Sequence, residues 1–161
     1  MSATELRRYI CETFDGVEVL ENLGDAFFIY DPERILPPTR RLPFATIVAG
    51  DHYDSVSGLD RPGAYRVNIG LTKATYVRRF GSPPTRRDAD GVLDTGYDHA
   101  AVDTVVPHPH YASQYWVSVV NPGPATLDTV REMLAEAHAL AARKYARWRA
   151  RRTGADGGRP A

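Results

Sequence analysis

Residues 17–30 read VEVLENLGDAFFIY, and the fold is decided there. Val17 to Leu23 and Ala26 to Tyr30 carry β-branched and aromatic side chains on either side of Gly24-Asp25, the composition of two strands joined by a tight turn. Such a hairpin is antiparallel, so an antiparallel sheet is expected to grow from it.

Before the hairpin, Ser2 with Glu5 three residues on is a capping-box pattern. The apolar spacing after it predicts a helix from about Thr4 to Phe14, ended by Gly16. Past the hairpin, the proline-rich segment from Asp31 to Pro43 cannot continue a ladder and is expected to be a surface loop. Phe44 to Ala49 is the third strand. After turn-forming residues 51–63, Ala64 to Gly70 alternates Tyr65, Val67 and Ile69 with Arg66 and Asn68, the pattern of a half-buried strand. Thr72 caps a short helix reaching Phe80, and residues 81–96 lack periodicity and read as a mobile loop.

Tyr115 to Val120 is the last strand. In the final helix Leu127, Val130, Leu134, Ala137, Ala141, Tyr145 and Trp148 form one apolar stripe suited to covering the sheet. The expected class is α+β: an antiparallel sheet of about five strands, with the N-terminal and the long C-terminal helix packed on one face. One domain is expected over residues 1–150, followed by a disordered basic, glycine-rich tail over 151–161.

The 161 residues balance 20 basic against 20 acidic side chains, but unevenly. Residues 143–161 hold seven basic groups and one acid, +6, which leaves 13 basic and 19 acidic groups, −6, for residues 1–142. An acidic body repels phosphate backbones, so nucleic acid would be met through the basic end or a local patch. No apolar run approaches the length of a membrane span, no secretory signal is read at Met1 to Thr13, and no membrane partner is expected. Cys11 is the only cysteine, which excludes an internal disulfide and fits a cytoplasmic location. Its place beside Leu6, Tyr9, Ile10 and Phe14 assigns it to packing.

Phe27-Phe28-Ile29-Tyr30 at the hairpin end, Arg66-Val67-Asn68-Ile69-Gly70 leading into a helix, and a histidine-bearing loop entering Trp116-Val117-Ser118-Val119 before a long helix resemble the YjbR/MmcQ-like proteins. The likeness is to an actinobacterial branch, a domain of unknown function, through Asp60-Arg61-Pro62-Gly63, Asn68-Ile69-Gly70, His108-Pro109, Tyr111, Gln114 and Trp116-Val117. The resemblance implies a compact, frataxin-like α+β arrangement and a DNA-binding role.

Chemistry-bearing side chains crowd between Tyr97 and Asn121. His108, beside Tyr111 and with His99 in reach along the chain, is the candidate for acid–base catalysis, because imidazole titrates near neutral pH. Asn68, Arg66, His110, Gln114, Tyr115 and Tyr97 are the candidate ligand-binding residues. Tyr115 and Trp116 are neighbours in a strand and face opposite sides, and Trp116 is assigned to the core. His108-Pro109-His110 with His99 and Asp98 contains metal-ligating residue types, but Pro109 breaks the ladder and no helical His motif follows, so no metal or other cofactor is assigned. Asp51 to Asp54 reads as connecting turn.

The leading expectation is small-molecule binding in a His/Tyr-lined cleft between the sheet and the 97–116 loop, with acid–base chemistry by His108. The alternatives are a nucleic-acid-binding module using Arg40, Arg41, Arg78, Arg79 and the basic C-terminus, and a non-catalytic interaction domain that forms a homodimer.

Overall fold

The computed structural model describes residues 1–157, with side chains to residue 154. Helix α1, Ala3–Thr13, starts at a complete capping box: Glu5 N donates to Ser2 Oγ at 3.1 Å and Ser2 N to Glu5 Oε2 at 3.2 Å. Leu6 and Ile10 are buried, whereas Cys11 is exposed. The packing role expected of Cys11 is therefore corrected; a helix advances about 100° per residue, which takes Cys11 off the Leu6–Ile10 stripe.

Strands β1, Val17–Asn22, and β2, Asp25–Tyr30, pair antiparallel with Asn22 opposite Asp25. The turn is Leu23-Gly24, at φ 53° and 83°, rather than Gly24-Asp25. A two-residue hairpin loop matched to strand twist needs positive φ at both positions, and this frees Asp25 to begin β2, where its carboxylate accepts from Ala49 N at 2.8 Å.

Strand β3, Ala45–Val48, β4, Arg66–Gly70, β5, Val105–Pro107, and β6, Trp116–Val120, complete an antiparallel sheet in the order β1-β2-β3-β4-β6-β5. The sixth strand beyond the expected five is β5, which is only three residues long and ends in proline, too short to show alternation. Helix α2, Lys73–Phe80, begins at Thr72, whose Oγ1 accepts from Thr75 N. Glu136 of the long helix α3, Leu127–Gly157, accepts from Thr72 N. Helix α3 continues through residues 151–157, and of the tail read from the sequence, residues 158–161 lie outside the described residues. Among the described residues no helix is long and apolar enough to cross a membrane.

Alternation gives the sheet two unlike faces. Phe28, Ala45, Ile47, Val67, Ile69, Val117 and Val119 point toward the helices and pack with Leu6, Ile10, Val130, Met133 and Leu134 in one core. The opposite face carries Phe27, Thr46, Arg66, Asn68, Trp116 and Ser118, and connecting segments cover it instead of helices. Arg66 and Asn68 are each 3% exposed, so β4 is buried on both faces and not half-buried.

Residues 81–96 fold as a pinned turn where a mobile loop was expected. Leu93 is buried in the core and its N–H donates to Pro109 O at 2.7 Å, while Asp88 Oδ1 accepts from Asp90 N and Val92 N. One buried leucine in an otherwise polar run is enough to anchor the segment, a signal that periodicity cannot carry.

Candidate functional site

The polar residues of β4 lie at the centre of the sheet, with β3 and β6 on either side, so their side chains leave water and must satisfy one another. Arg66 Nε donates to Asn68 Oδ1 at 3.0 Å, one terminal nitrogen to Asp54 Oδ1 (3.1 Å) and Ser57 Oγ (2.9 Å), and the other to Asp54 Oδ2 (3.0 Å). Asn68 passes the network on: Nδ2 donates to Thr46 Oγ1 at 3.0 Å, and Oδ1 accepts from Ser118 Oγ at 2.7 Å. Burial pushes the Asp54 carboxyl up, but the hydrogen bonds and charge of Arg66, aided by His110, outweigh it and hold it below its ordinary value.

Over this floor opens a cavity of about 1170 Å³. Phe27, Tyr53, Tyr111 and Trp116 supply aromatic surface to it, and Thr46, Asn68, His108, His110 and Gln114 supply polar groups. It continues past Phe44 and Leu71 to Leu140, Ala141 and Trp148 of α3.

His108 follows β5 directly and is 4% exposed. Its Nδ1 accepts from the backbone N–H groups of both His110 (3.0 Å) and Tyr111 (3.1 Å), which fixes the ring as the tautomer with its proton on Nε2. Burial, and then the positive charge of Arg66 with contributions from His110 and His99, hold His108 well below the usual histidine range. The imidazole is thus a neutral donor and not a base; its lone-pair nitrogen is occupied by the backbone. Among the described residues the ring hydrogen bonds of His108 are all made at Nδ1, and none is made at Nε2.

The remaining expected site residues divide. Tyr111, 52% exposed, lays its ring against His108 with centroids 4.9 Å apart, and Gln114 sits exposed on the cavity rim. His110 donates from Nδ1 to Gly91 O at 3.3 Å and presents Nε2 to Asp54 Oδ2 at 3.4 Å. Arg66 belongs to the site as its support, since Asp54, Ser57 and Asn68 occupy most of its N–H groups. His99 and Tyr97 are not brought in. His99 Nε2 bonds Thr95 Oγ1 at 2.9 Å, Tyr97 packs edge-on to Phe80 at 5.4 Å, and both line a separate small hollow with residues 86–96. Burial, then the Arg66 charge, lowers the His99 pKa as well.

Trp116 does not take the core role expected of it, and Tyr115 both lines the cavity and packs on the core. Tyr115 packs against the helix-side core beside Tyr76, while Trp116 stands on the cavity face, edge-on to His108 at 6.4 Å. The reason is local: Tyr115 has φ 69° as it closes a 3-10 turn, Ala112–Gln114, and β6 begins only at Trp116, opposite Gly70. Sequence reading also missed Asp54, Ser57, Thr46 and Ser118. The one available signal was polar residues at alternate positions of a strand flanked by apolar strands, together with Asp54 in a turn dismissed as connecting structure.

Gly70 leaves the space that Trp116 uses, since a Cβ there would lie 2.9 Å from Trp116 Cε2. Gly70→Ala is expected to cost about 1–3 kcal/mol through overpacking and to push the indole into the cavity. Trp116 fluorescence in a Trp148→Phe background checks this; an emission spectrum equal to that of Gly70 protein would contradict the placement.

Among the described residues no group of three or more His, Cys, Asp or Glu side chains converges to hold a metal ion. The first ring nitrogens of His108 and His110 are engaged with backbone, and Asp98 accepts from Ala100 N in its own turn. In comparisons with known proteins, the model of a family of unknown function matches residues 1–151. No curated protein and no solved structure matches the chain.

Proposed function

The chain belongs to DUF6194, a family of unknown function, and from the site alone we propose that it binds a small molecule in the cavity on the loop-covered face of the sheet. The observation behind this is His108, whose ring is locked by two backbone donors so that an Nε2–H without a protein acceptor lines a cavity with aromatic walls. A ligand oxygen would accept from this N–H, and its hydrogen bond would strengthen as the ligand excludes water from the cavity. Where turnover occurs, the neutral imidazole polarises a substrate oxygen by donating to it, and Tyr111 covers it from solvent.

We read the family as kin to the YjbR/MmcQ-like proteins and actinobacterial in this branch. The N-terminal helix, the antiparallel sheet and the long last helix support that reading. A cytoplasmic location goes with it, in keeping with an exposed free Cys11.

The test is a fragment screen by NMR on isotopically labelled protein. Hits are expected to shift the amide signals of residues 66–70 and 108–118 together. A library that gives no hits, or hits that move only signals of the α3 end, would refute the proposal.

A second reading, nucleic-acid binding, is favoured by Arg143, Arg147 and Arg151, exposed at steps of four along α3, although Arg149 is tied to Glu33 by bonds of 3.0 and 3.2 Å. It predicts duplex binding whose affinity falls steeply with salt and is lost in Arg143→Glu/Arg147→Glu protein. Fluorescence anisotropy showing no binding at low salt would dispose of it.

A further inference from the structure

Resting on the small-molecule reading above, we infer that the group this cavity recognises is a carboxylate, borne on a flat apolar body. On the floor the amide, hydroxyl and carboxylate acceptors are already engaged. Asn68 Oδ1 accepts from Arg66 and from Ser118, Thr46 Oγ1 accepts from Asn68, and both Asp54 oxygens accept from Arg66. His110 Nε2 lies 3.4 Å from Asp54 Oδ2 without a hydrogen bond and is sealed from solvent, so it does not open toward a ligand.

The open atoms of the floor are donors, and only at the rim does Gln114 add an amide with an acceptor oxygen. His108 carries its proton on Nε2 because Nδ1 is saturated, the Trp116 indole N–H meets no acceptor among the described residues, and the Thr46 hydroxyl, having accepted from Asn68, keeps its own proton to give. His108 and Trp116 both line the cavity with ring centroids 6.4 Å apart, a spacing within the reach of a single two-oxygen ligand group. A donor-only floor selects a ligand group that only accepts, and an ionised carboxylate is the smallest such group.

Charge points the same way. Asp54 is the one acid lining the cavity among the described residues, and it is bound to Arg66, whereas Arg40, Arg87 and Lys144 also line it. A phosphate is less well matched. On the floor its recognition calls for a guanidinium fork or an open helix N-terminus; there the Arg66 fork is occupied and the start of α2 is closed by Glu136 and Thr72, while Arg40 and Arg87 are exposed lining residues outside the floor. The flat body follows from the walls, since Phe27, Tyr111 and Trp116 offer ring surfaces to a planar ligand.

The experiment is titration calorimetry of the purified protein with benzoate, benzamide, benzylamine and phenyl phosphate. Benzoate is expected to bind at least about tenfold more tightly than benzamide, as the gain from a charge-assisted hydrogen bond allows. Benzylamine should bind least. Trp116→Phe keeps a ring against Gly70 and removes only the N–H, and is expected to weaken benzoate about tenfold, with a smaller effect on benzamide.

Equal affinity for acid and amide, tighter binding of phenyl phosphate, or benzoate affinity unchanged in Trp116→Phe would each overturn the carboxylate assignment. Those outcomes remain distinct from failure of the site itself, because the fragment screen reports binding of any chemistry. A cavity that takes only uncharged or cationic fragments refutes this inference and leaves the small-molecule reading standing.

Discussion

Arg66→Ala is expected to lower the stability of the protein by about 3–5 kcal/mol, the cost of removing one partner of a buried ion pair and leaving the other charge unpaired. The residue is 3% exposed, and its bonds to Asp54 and Ser57 join β4 to the 51–63 connection, while its bond to Asn68 stays within β4. Without the guanidinium, the Asp54 carboxylate, itself 6% exposed at its side chain, loses the group that holds it ionised, and Asn68 Oδ1 keeps only Ser118. Asp54→Ala should cost a similar amount. Arg66→Met combined with Asp54→Leu removes both charges, and the pair is expected to be less destabilised than the sum of the single replacements. Urea unfolding of the four proteins measures this; a loss below about 1 kcal/mol in Arg66→Ala, the range of an exposed pair, would contradict the buried network.

Stability is also expected to fall as pH drops below about 6.5. In the unfolded chain His108 gains a proton near its ordinary value of 6.5, whereas in the folded protein it stays neutral to well below that value. The unfolded state then binds more protons, so the stabilisation is complete above pH 6.5 and is lost on acidification at up to about 1.4 kcal/mol per pH unit. His99, lowered in the same direction, adds to this phase. A second, more acidic phase follows from Asp54: its pKa is depressed from 3.8, so its contribution is intact above that value and is lost as pH falls through it. Denaturant midpoints between pH 8 and 4 would show the first phase, and His108→Asn should flatten it, because the asparagine oxygen can still accept from the two loop amides. A flat wild-type profile between pH 6.5 and 5 would mean that His108 is protonated in the folded protein, and the tautomer argument would fail.

Much of the fold was legible because its signals are local. Ser2 and Glu5 lie three residues apart and close on each other, Thr72 caps the helix that it precedes, and the apolar stripe of α3 needs only the helical repeat. The errors fall where local chemistry is silent. Strand β5 has too few residues to show a period, and Leu93 anchors its loop through core packing and a bond to Pro109 O, both made with distant segments. Arg66 and Asn68 were read as the wet side of β4 because alternation reports two faces without saying what covers either.

The candidate site follows the same division. The sequence by itself determined that histidine, tyrosine and amide side chains crowd around residues 108–116, and that an antiparallel sheet with helices on one face would carry them. Only the tertiary structure decided that His108 and Trp116 share a cavity while His99 and Tyr97 lie outside it, and that Asp54 comes from a distant turn to meet Arg66. Backbone capping and side-chain period act over a few residues and can be read along the chain. Desolvation, ion pairing and the choice of imidazole tautomer depend on what packs alongside, and that is set by segments tens of residues apart.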